Sequence, residues 1–246
     1  ISMDIPPDRT AFAGVVSEQN PMGTDGFEFV EFTGPDVPGL EALFRRLGFA
    51  PAARHRSKAV ALWRQGGVNF VLNAEPDSFA QDFGRRHGPS ACAMAFRVAD
   101  AEAAMARAVS LGAKPFKGRN GPGELDNPAI EGIGGSYLYL VQDGRDLYAD
   151  WNEVPGWQEA EQQNNVGLDL LDHLTHNVRR GEMRTWSSFY GRLFGFEEQK
   201  YFDIKGKATG LFSQAMIAPD RAIRIPLNES QDDNSQIEEF IRRYNG

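Results

Sequence analysis

The chain lacks the features that mark several large classes of protein. Its 246 residues include a single cysteine, Cys92, so no disulfide can form within the chain. Acidic residues outnumber basic ones and give a net charge of −8, which argues against nucleic acid or an anionic membrane as a partner. No apolar run is long enough for a membrane-spanning helix. The first ten residues lack the order of a secretory signal, so we expect a cytoplasmic protein.

The few residues capable of metal or nucleophilic chemistry are also widely separated. The four histidines have no cysteine partners, which excludes the common structural zinc sites. Cys92 lies in the apolar stretch of residues 91–96, a pattern that predicts a buried and unreactive thiol. A hydrophobic content of 41% is that of an ordinary globular protein, and the length allows one large core or two smaller ones.

A repeated unit becomes visible once glycine is used to locate the ends of helices. Residues 26–32 predict a strand and residues 40–47 a helix that is closed by Gly48. Residues 168–178 and 186–194 repeat this order, and Gly195 closes the second helix. When residues 30–33 are aligned with residues 172–175, Glu31 falls at the position of His173.

The segments after each helix repeat as well. Residues 59–64 and 68–72 flank a predicted turn, as do residues 209–217 and 222–228. A third copy consists of a strand at 92–98, a helix capped by Asp100 and a strand at 137–142. The sequence therefore predicts an α+β fold built from βαβββ modules that begin near residues 26, 91 and 168.

The modules suggest two domains. Two of them fill residues 1–151, a polar linker follows at 152–166, and residues 167–246 form the first part of a second domain. That domain holds one module and a helix at 235–244, which begins with a capping box. Since one module leaves a sheet face open, we expect the sequence to be part of a longer chain.

The candidate site residues lie on the polar faces of two predicted strands. Side chains alternate along a strand, so the apolar positions Leu168, Leu170, Leu174 and Val178 should face a core. His173 lies on the opposite face, and His176 points away from it. Asn228, Pro226 and Arg224 likewise share one face of the strand at 222–228. Such groups fit a small-molecule cleft, although a solvated His173 and a merely structural Asn228 are the simpler interpretations. The same holds for Ser213, as a small core residue, and for Gln236, as a solvated helix start.

Several separated motifs resemble the bacterial 4-hydroxyphenylpyruvate dioxygenase family. They are Asp-His-Leu-Thr-His-Asn-Val at 172–178, Ile-Arg-Ile-Pro-Leu-Asn-Glu at 223–229, Gln-Ile-Glu-Glu-Phe at 236–240, His-Gly-Pro-Ser at 87–90 and Ile-Glu-Gly-Ile-Gly-Gly at 130–135. The motifs occur in the family's order, and the resemblance extends from about residue 20 to residue 246. It implies the vicinal oxygen chelate fold, also known as the glyoxalase/bleomycin-resistance fold, with a first domain that takes no part in catalysis.

The resemblance also implies a reaction and its residues. His173 is similar to the first Fe(II) ligand, and Ser213, Pro226, Asn228 and Gln236 are similar to residues lining the substrate pocket. No catalytic residue beyond the metal site is implied. The substrates would be 4-hydroxyphenylpyruvate and O₂, and the product homogentisate, in the breakdown of tyrosine and phenylalanine. Members of the family commonly form homo-oligomers. A second histidine and a glutamate ligand lie outside these 246 residues, so we expect this chain alone to be inactive and to bind iron poorly.

Two other functions stay open. Hydroxymandelate synthase uses the same substrate and iron, but it hydroxylates the side chain of the substrate. A catalytically silent dioxygenase-like module, serving binding or oligomerisation, would have no turnover at all. The motifs at 172–178 and 223–229 favour the dioxygenase, and the identity of the product would distinguish the three.

Overall fold

The computed structural model describes residues 11–116, 127–142, 144, 146–149, 151–205 and 210–245. Its elements follow the predicted repeat. The first module consists of β1 (Phe27–Thr33), α1 (Val37–Arg46), β2 (Ala50–Arg54), β3 (Val60–Gln65) and β4 (Val68–Asn73). A connecting helix, α2 (Phe79–His87), follows the first module. The second module consists of β5 (Ser90–Val98), α3 (Ala101–Ser110), β6 (Pro115–Phe116), β7 (Ala129–Glu131) and β8 (Tyr137–Gln142).

A short strand and a helix lead into the third module. They are β9 (Asn152–Glu153) and α4 (Trp157–Asn164). The third module then consists of β10 (His176–Val178), α5 (Met183–Phe194), β11 (Glu197–Lys205), β12 (Gly210–Ile217), β13 (Arg224–Ser230) and α6 (Gln236–Tyr244). Position 209, which was predicted to begin a strand, lies outside the described residues.

The strand order confirms the predicted βαβββ repeat. The first sheet has the order β6-β7-β8-β5-β1-β4-β3-β2-β9, and the second has the order β10-β13-β12-β11. In each module the first strand runs parallel to the last, as β1 does to β4, β5 to β8 and β10 to β13. Strands β1 and β5 pair in antiparallel fashion and join two modules into one continuous sheet.

Local sequence explains where the helices begin and end. The Asp36 side chain accepts a hydrogen bond from the amide of Gly39, so α1 begins at Val37 and not at the predicted residue 40. Asp100 and Ser235 cap α3 and α6 as predicted. Gly195 closes α5 in the left-handed region, with a φ of 76°, which glycine adopts without strain. Among the residues described, no helix is long and apolar enough to cross a membrane.

One apolar core joins the first sheet to the third module. Phe96 of β5 packs against Phe194 and Phe196, with ring centroids 5.3 and 5.9 Å apart. Asp220 is fully buried in the turn before β13, and its carboxylate accepts the amide hydrogen of Gly26 at 2.7 Å. These contacts connect residues that are about one hundred to two hundred positions apart, so they fix the third module on the first sheet.

The segment before β10 corrects a prediction. A strand was expected over residues 168–178, but only His176–Val178 is a strand. Leu168 and Leu170, which were expected to face a core, are 44% and 62% exposed. The amides of Val166 and Leu168 both donate to Oε1 of Gln65. These bonds hold the segment on the β3–β4 turn, so it does not extend β10 along β13.

Strand pairing also shifts the predicted alignment of the modules. The last strands of the first and third modules share a Leu-Asn pair, at residues 72–73 and 227–228. Phe32 lies opposite Leu72, and His176 lies opposite Leu227. Glu31 therefore corresponds to Thr175, and its predicted correspondence to His173 is wrong by two residues.

Glu31 is a buried carboxyl group on the first sheet. It is 4% exposed and accepts a hydrogen bond from Nδ2 of Asn73 at 2.6 Å. Burial raises the pKa of Glu31 from 4.5 to about 7, against the opposing effects of Asn73 and the Lys58 charge. Because the folded state binds the proton more tightly, the free energy of unfolding falls as pH rises from 4.5 to about 7.

Replacement of Glu31 by glutamine removes this penalty. We expect Glu31→Gln to raise the free energy of unfolding at pH 8 by about 2–3 kcal/mol and to leave it nearly unchanged at pH 4.5. Urea unfolding across this pH range measures the difference. Glu18→Gln, at an exposed position, is the matched control and should change stability by less than about 0.5 kcal/mol. An equal effect of Glu31→Gln at both pH values would contradict the assignment.

Candidate functional site

The second sheet brings three of the predicted pocket residues together. Ser213 of β12 lies directly opposite Asn228 of β13, and Asn228 in turn lies opposite Asn177 of β10. Pro226 lies two residues before Asn228 and opposite Ala215. Paired residues project from the same face of a sheet, so Ser213, Asn228, Pro226 and Asn177 share one face.

The opposite face of this sheet belongs to the core. Ile225 and Leu227, which alternate with the site residues along β13, are fully buried. They pack with Tyr190 and Phe194 of α5 in the shared apolar core. The alternation along β13 was predicted from the sequence, and it explains why Ile225 and Leu227 enter the core while the half-buried Asn228 projects from the other face.

Gln236 lies apart from Ser213, Asn228 and Pro226. It is the first residue of α6 and is exposed. The preceding residue, Ser235, caps the helix and shares a hydroxyl hydrogen bond of 2.5 Å with Ser230 at the end of β13. The structure therefore ties the start of α6 to the strand that carries Asn228, but the Gln236 side chain is turned to solvent.

His173 lies just before β10, beside the partly exposed carboxylate of Asp172. Its Nδ1 is 2.6 Å from Oδ2 of Asp172, and the side chain is 41% exposed. Oδ1 of Asp172 accepts a hydrogen bond of 2.9 Å from Nη1 of Arg224 on β13. The amide of Leu174 donates to the carbonyl of Arg224, so this segment follows β13 even though it forms no regular ladder there.

His176 forms a hydrogen bond with a tyrosine of the apolar core. Its Nε2 lies 2.7 Å from the hydroxyl of Tyr190, a buried residue of α5. Burial lowers the pKa of His176 to about 4, so the ring is neutral at physiological pH and accepts the tyrosine hydrogen. His173 and His176 thus have different partners, Asp172 for the first and Tyr190 for the second.

A protein-bound metal ion needs several ligands that converge on one point. In the described part of the chain, no three histidine, cysteine, aspartate or glutamate side chains converge to hold one. His173 by itself fits a ligand, because the Asp172 carboxylate engages Nδ1 and this leaves Nε2 for the metal. A carboxylate behind a ligating histidine is the usual second partner in metal centres.

A cavity of about 200 Å³ lies between β5, α2, α6 and the segment around β10. Its lining includes Met94, His87, Thr175, Asn177, Phe240 and Tyr244. Ser213, Pro226, Asn228 and Gln236 are not among the lining residues. Of the four residues that share the candidate face, only Asn177 lines this cavity, together with Thr175 and His176 and with Met94 of the first sheet.

Sequence reasoning missed two contributions to this region. Arg224 was placed on the face of Pro226 and Asn228 but given no role, and Asp172 was given none. The period-two pattern identifies the face of Arg224, yet its partner Asp172 is 52 positions away. Only the fold brings the two together. Cys92 is fully buried, as predicted, and burial raises the pKa of its thiol well above the usual value.

Comparisons with known proteins agree with this architecture. The family model described as hydroxyphenylpyruvate dioxygenase, N-terminal, matches residues 18–152. The 4-hydroxyphenylpyruvate dioxygenase of Pseudomonas aeruginosa is 54% identical over 94% of this chain and 66% of its own length. A solved fusion of a xylose isomerase-like TIM barrel and 4-hydroxyphenylpyruvate dioxygenase is 38% identical, with a TM-score of 0.72, over 87% of this chain and 33% of that one.

A more distant structure shows the fold alone. A mutant of 4-hydroxymandelate synthase from Streptomyces coelicolor matches with a TM-score of 0.75 and 22% identity, over 92% of this chain and 68% of that one. The strand order and these matches define a protein of the vicinal oxygen chelate fold. More narrowly, the chain belongs to the 4-hydroxyphenylpyruvate dioxygenase family. It spans about two thirds of the length of the curated relatives that it matches.

Proposed function

We propose that these residues are part of an Fe(II)-dependent 4-hydroxyphenylpyruvate dioxygenase. The reaction converts 4-hydroxyphenylpyruvate and O₂ to homogentisate and CO₂, a step of tyrosine and phenylalanine breakdown. The observation that carries the proposal is the 54% identity to the Pseudomonas aeruginosa enzyme over 94% of this chain. Ser213, Asn228 and Asn177, which lie side by side on one face of the second sheet, are polar groups that can bind such a substrate.

One residue of this chain binds the metal, and others bind the substrate. His173 supplies one iron ligand through Nε2, and the bound iron supplies a chelation site for the 2-oxo acid and activates O₂. Ser213 and Asn228 offer a hydroxyl and an amide to polar groups of the substrate. Pro226, which lies between Asn228 and the buried Arg224 along β13, packs against the aromatic ring of the substrate. Gln236, at the start of α6, closes one side of the pocket.

The protein is organised as two domains joined by a linker. Residues 1–151 form a domain without catalytic residues, residues 152–166 connect it, and residues 167–246 begin the iron-binding domain. Helix α4 lies within the connection and is fastened to the first domain, because Nδ2 of Asn164 donates to the carbonyl of Arg45 at 2.6 Å. The protein acts in the cytoplasm as a homo-oligomer.

The identity of the product tests the proposal. The full product of the gene is loaded with Fe(II) and ascorbate and supplied with 4-hydroxyphenylpyruvate and O₂. We expect homogentisate and CO₂ in equal amounts. 4-Hydroxymandelate would establish hydroxymandelate synthase instead. No turnover from an iron-loaded, folded protein would favour a catalytically silent module that serves binding or oligomerisation.

A further inference from the structure

Arg224, Asp172 and His173 form a chain of contacts. Arg224 is 5% exposed, and its guanidinium donates to Oδ1 of Asp172 at 2.9 Å. The second oxygen of the same carboxylate lies 2.6 Å from Nδ1 of His173. A buried guanidinium without a carboxylate partner is strongly unfavourable, so Arg224 holds Asp172 in place. The carboxylate then has one oxygen left for the imidazole.

The chemistry of these groups determines where the imidazole proton lies. A guanidinium can only donate hydrogen bonds, and a carboxylate paired with it only accepts them. The contact between Asp172 and Nδ1 therefore requires a proton on Nδ1. We infer that Arg224 and Asp172 fix neutral His173 in the Nδ1–H tautomer, with a lone pair on Nε2. Free neutral histidine carries its proton mainly on Nε2, so the fold reverses the ordinary preference.

This arrangement gives Asp172 and Arg224 the role of positioning residues. A histidine binds a metal through the nitrogen that carries no proton, and the other nitrogen is normally held by a hydrogen bond. The use of Nε2 for iron rests on the proposed function, whereas the tautomer itself does not. The two claims can therefore fail separately, the first in the turnover assay and the second in a spectrum of the metal-free chain.

The test uses the full gene product labelled with ¹⁵N at histidine, without metal. Long-range ¹H–¹⁵N correlation spectra distinguish a protonated from a bare ring nitrogen. We expect His173 to show a bare Nε2. In Asp172→Asn, Arg224 takes the amide oxygen, and the amide NH₂ then donates to Nδ1. The proton of His173 is therefore expected to move to Nε2.

Two further variants separate this effect from a general disturbance. Asp169→Asn makes the same change three residues away, where the carboxylate accepts the amide of Gly67, and it should leave the His173 spectrum unchanged. Arg224→Met added to Asp172→Asn frees the amide to rotate, so the Nδ1–H form should return at least in part. A dominant Nε2–H form in the unaltered chain would overturn the inference, as would an unchanged spectrum in Asp172→Asn.

Discussion

Replacement of His173 by alanine is expected to lower turnover of 4-hydroxyphenylpyruvate by a factor of about 10³ or more in the full gene product. The physical reason is that the proposed iron site has few protein ligands, and a bound metal contributes several kcal/mol of transition-state stabilisation. His173 is 41% exposed and its one described side-chain partner is Asp172. The free energy of unfolding should therefore change little.

A matched histidine variant controls for the general effect of the substitution. His55 lies in the first domain, where its Nδ1 accepts the amide hydrogens of Ser57 and Lys58. His55→Ala should keep turnover close to that of the unaltered protein. Steady-state rates and iron content of both variants give the comparison. Retention of more than about a tenth of the activity by His173→Ala would remove His173 from the metal site.

Asp220→Ala is expected to reduce the free energy of unfolding by about 3–5 kcal/mol. The carboxylate of Asp220 is fully buried and accepts three backbone hydrogens, from Gly26 at 2.7 Å, Ala222 at 2.8 Å and Ile223 at 3.2 Å. Alanine leaves the buried amides of Gly26 and Ile223 and the partly buried amide of Ala222 without their acceptor, and each unsatisfied buried amide carries a desolvation cost. The bond to Gly26 also links the third module to the first sheet.

Denaturant unfolding measures the loss, and amide hydrogen exchange locates it. Exchange at Gly26 should accelerate in Asp220→Ala, because its hydrogen-bond acceptor is gone. Asp233→Ala removes a carboxylate of the same type that is 88% exposed and paired with Arg180, and it should have no measurable effect. A change of less than about 1 kcal/mol in Asp220→Ala would show that the turn does not depend on these bonds.

Much of the fold could be predicted because its signals are local. Gly48 and Gly195 end helices, Asp100 and Ser235 begin them, and alternation along β13 separates Leu227 from Asn228. Each signal acts within a few residues of the feature it specifies. These signals sufficed to find three copies of one module and to place Pro226 and Asn228 on one face, whereas the position of Ser213 opposite Asn228 follows from strand pairing.

The incorrect predictions depend on distant partners. Leu168 and Leu170 follow the pattern of a buried strand, but Gln65, about one hundred positions earlier, binds the backbone of this segment. The alignment of Glu31 with His173 failed because strand register is set across the sheet by Leu72 and Leu227. Asp172 gains a role only through Arg224. Such contacts have no signal in a short window of sequence.

The position of iron tests the central claim most directly. Crystals of the full gene product, grown without oxygen in the presence of Fe(II), would be measured at the iron absorption edge to locate the metal by anomalous scattering. We expect one iron site within bonding distance of Nε2 of His173, on the face of the sheet that carries Ser213 and Asn228. Iron bound elsewhere, with Nε2 of His173 left in contact with solvent, would contradict the proposed function.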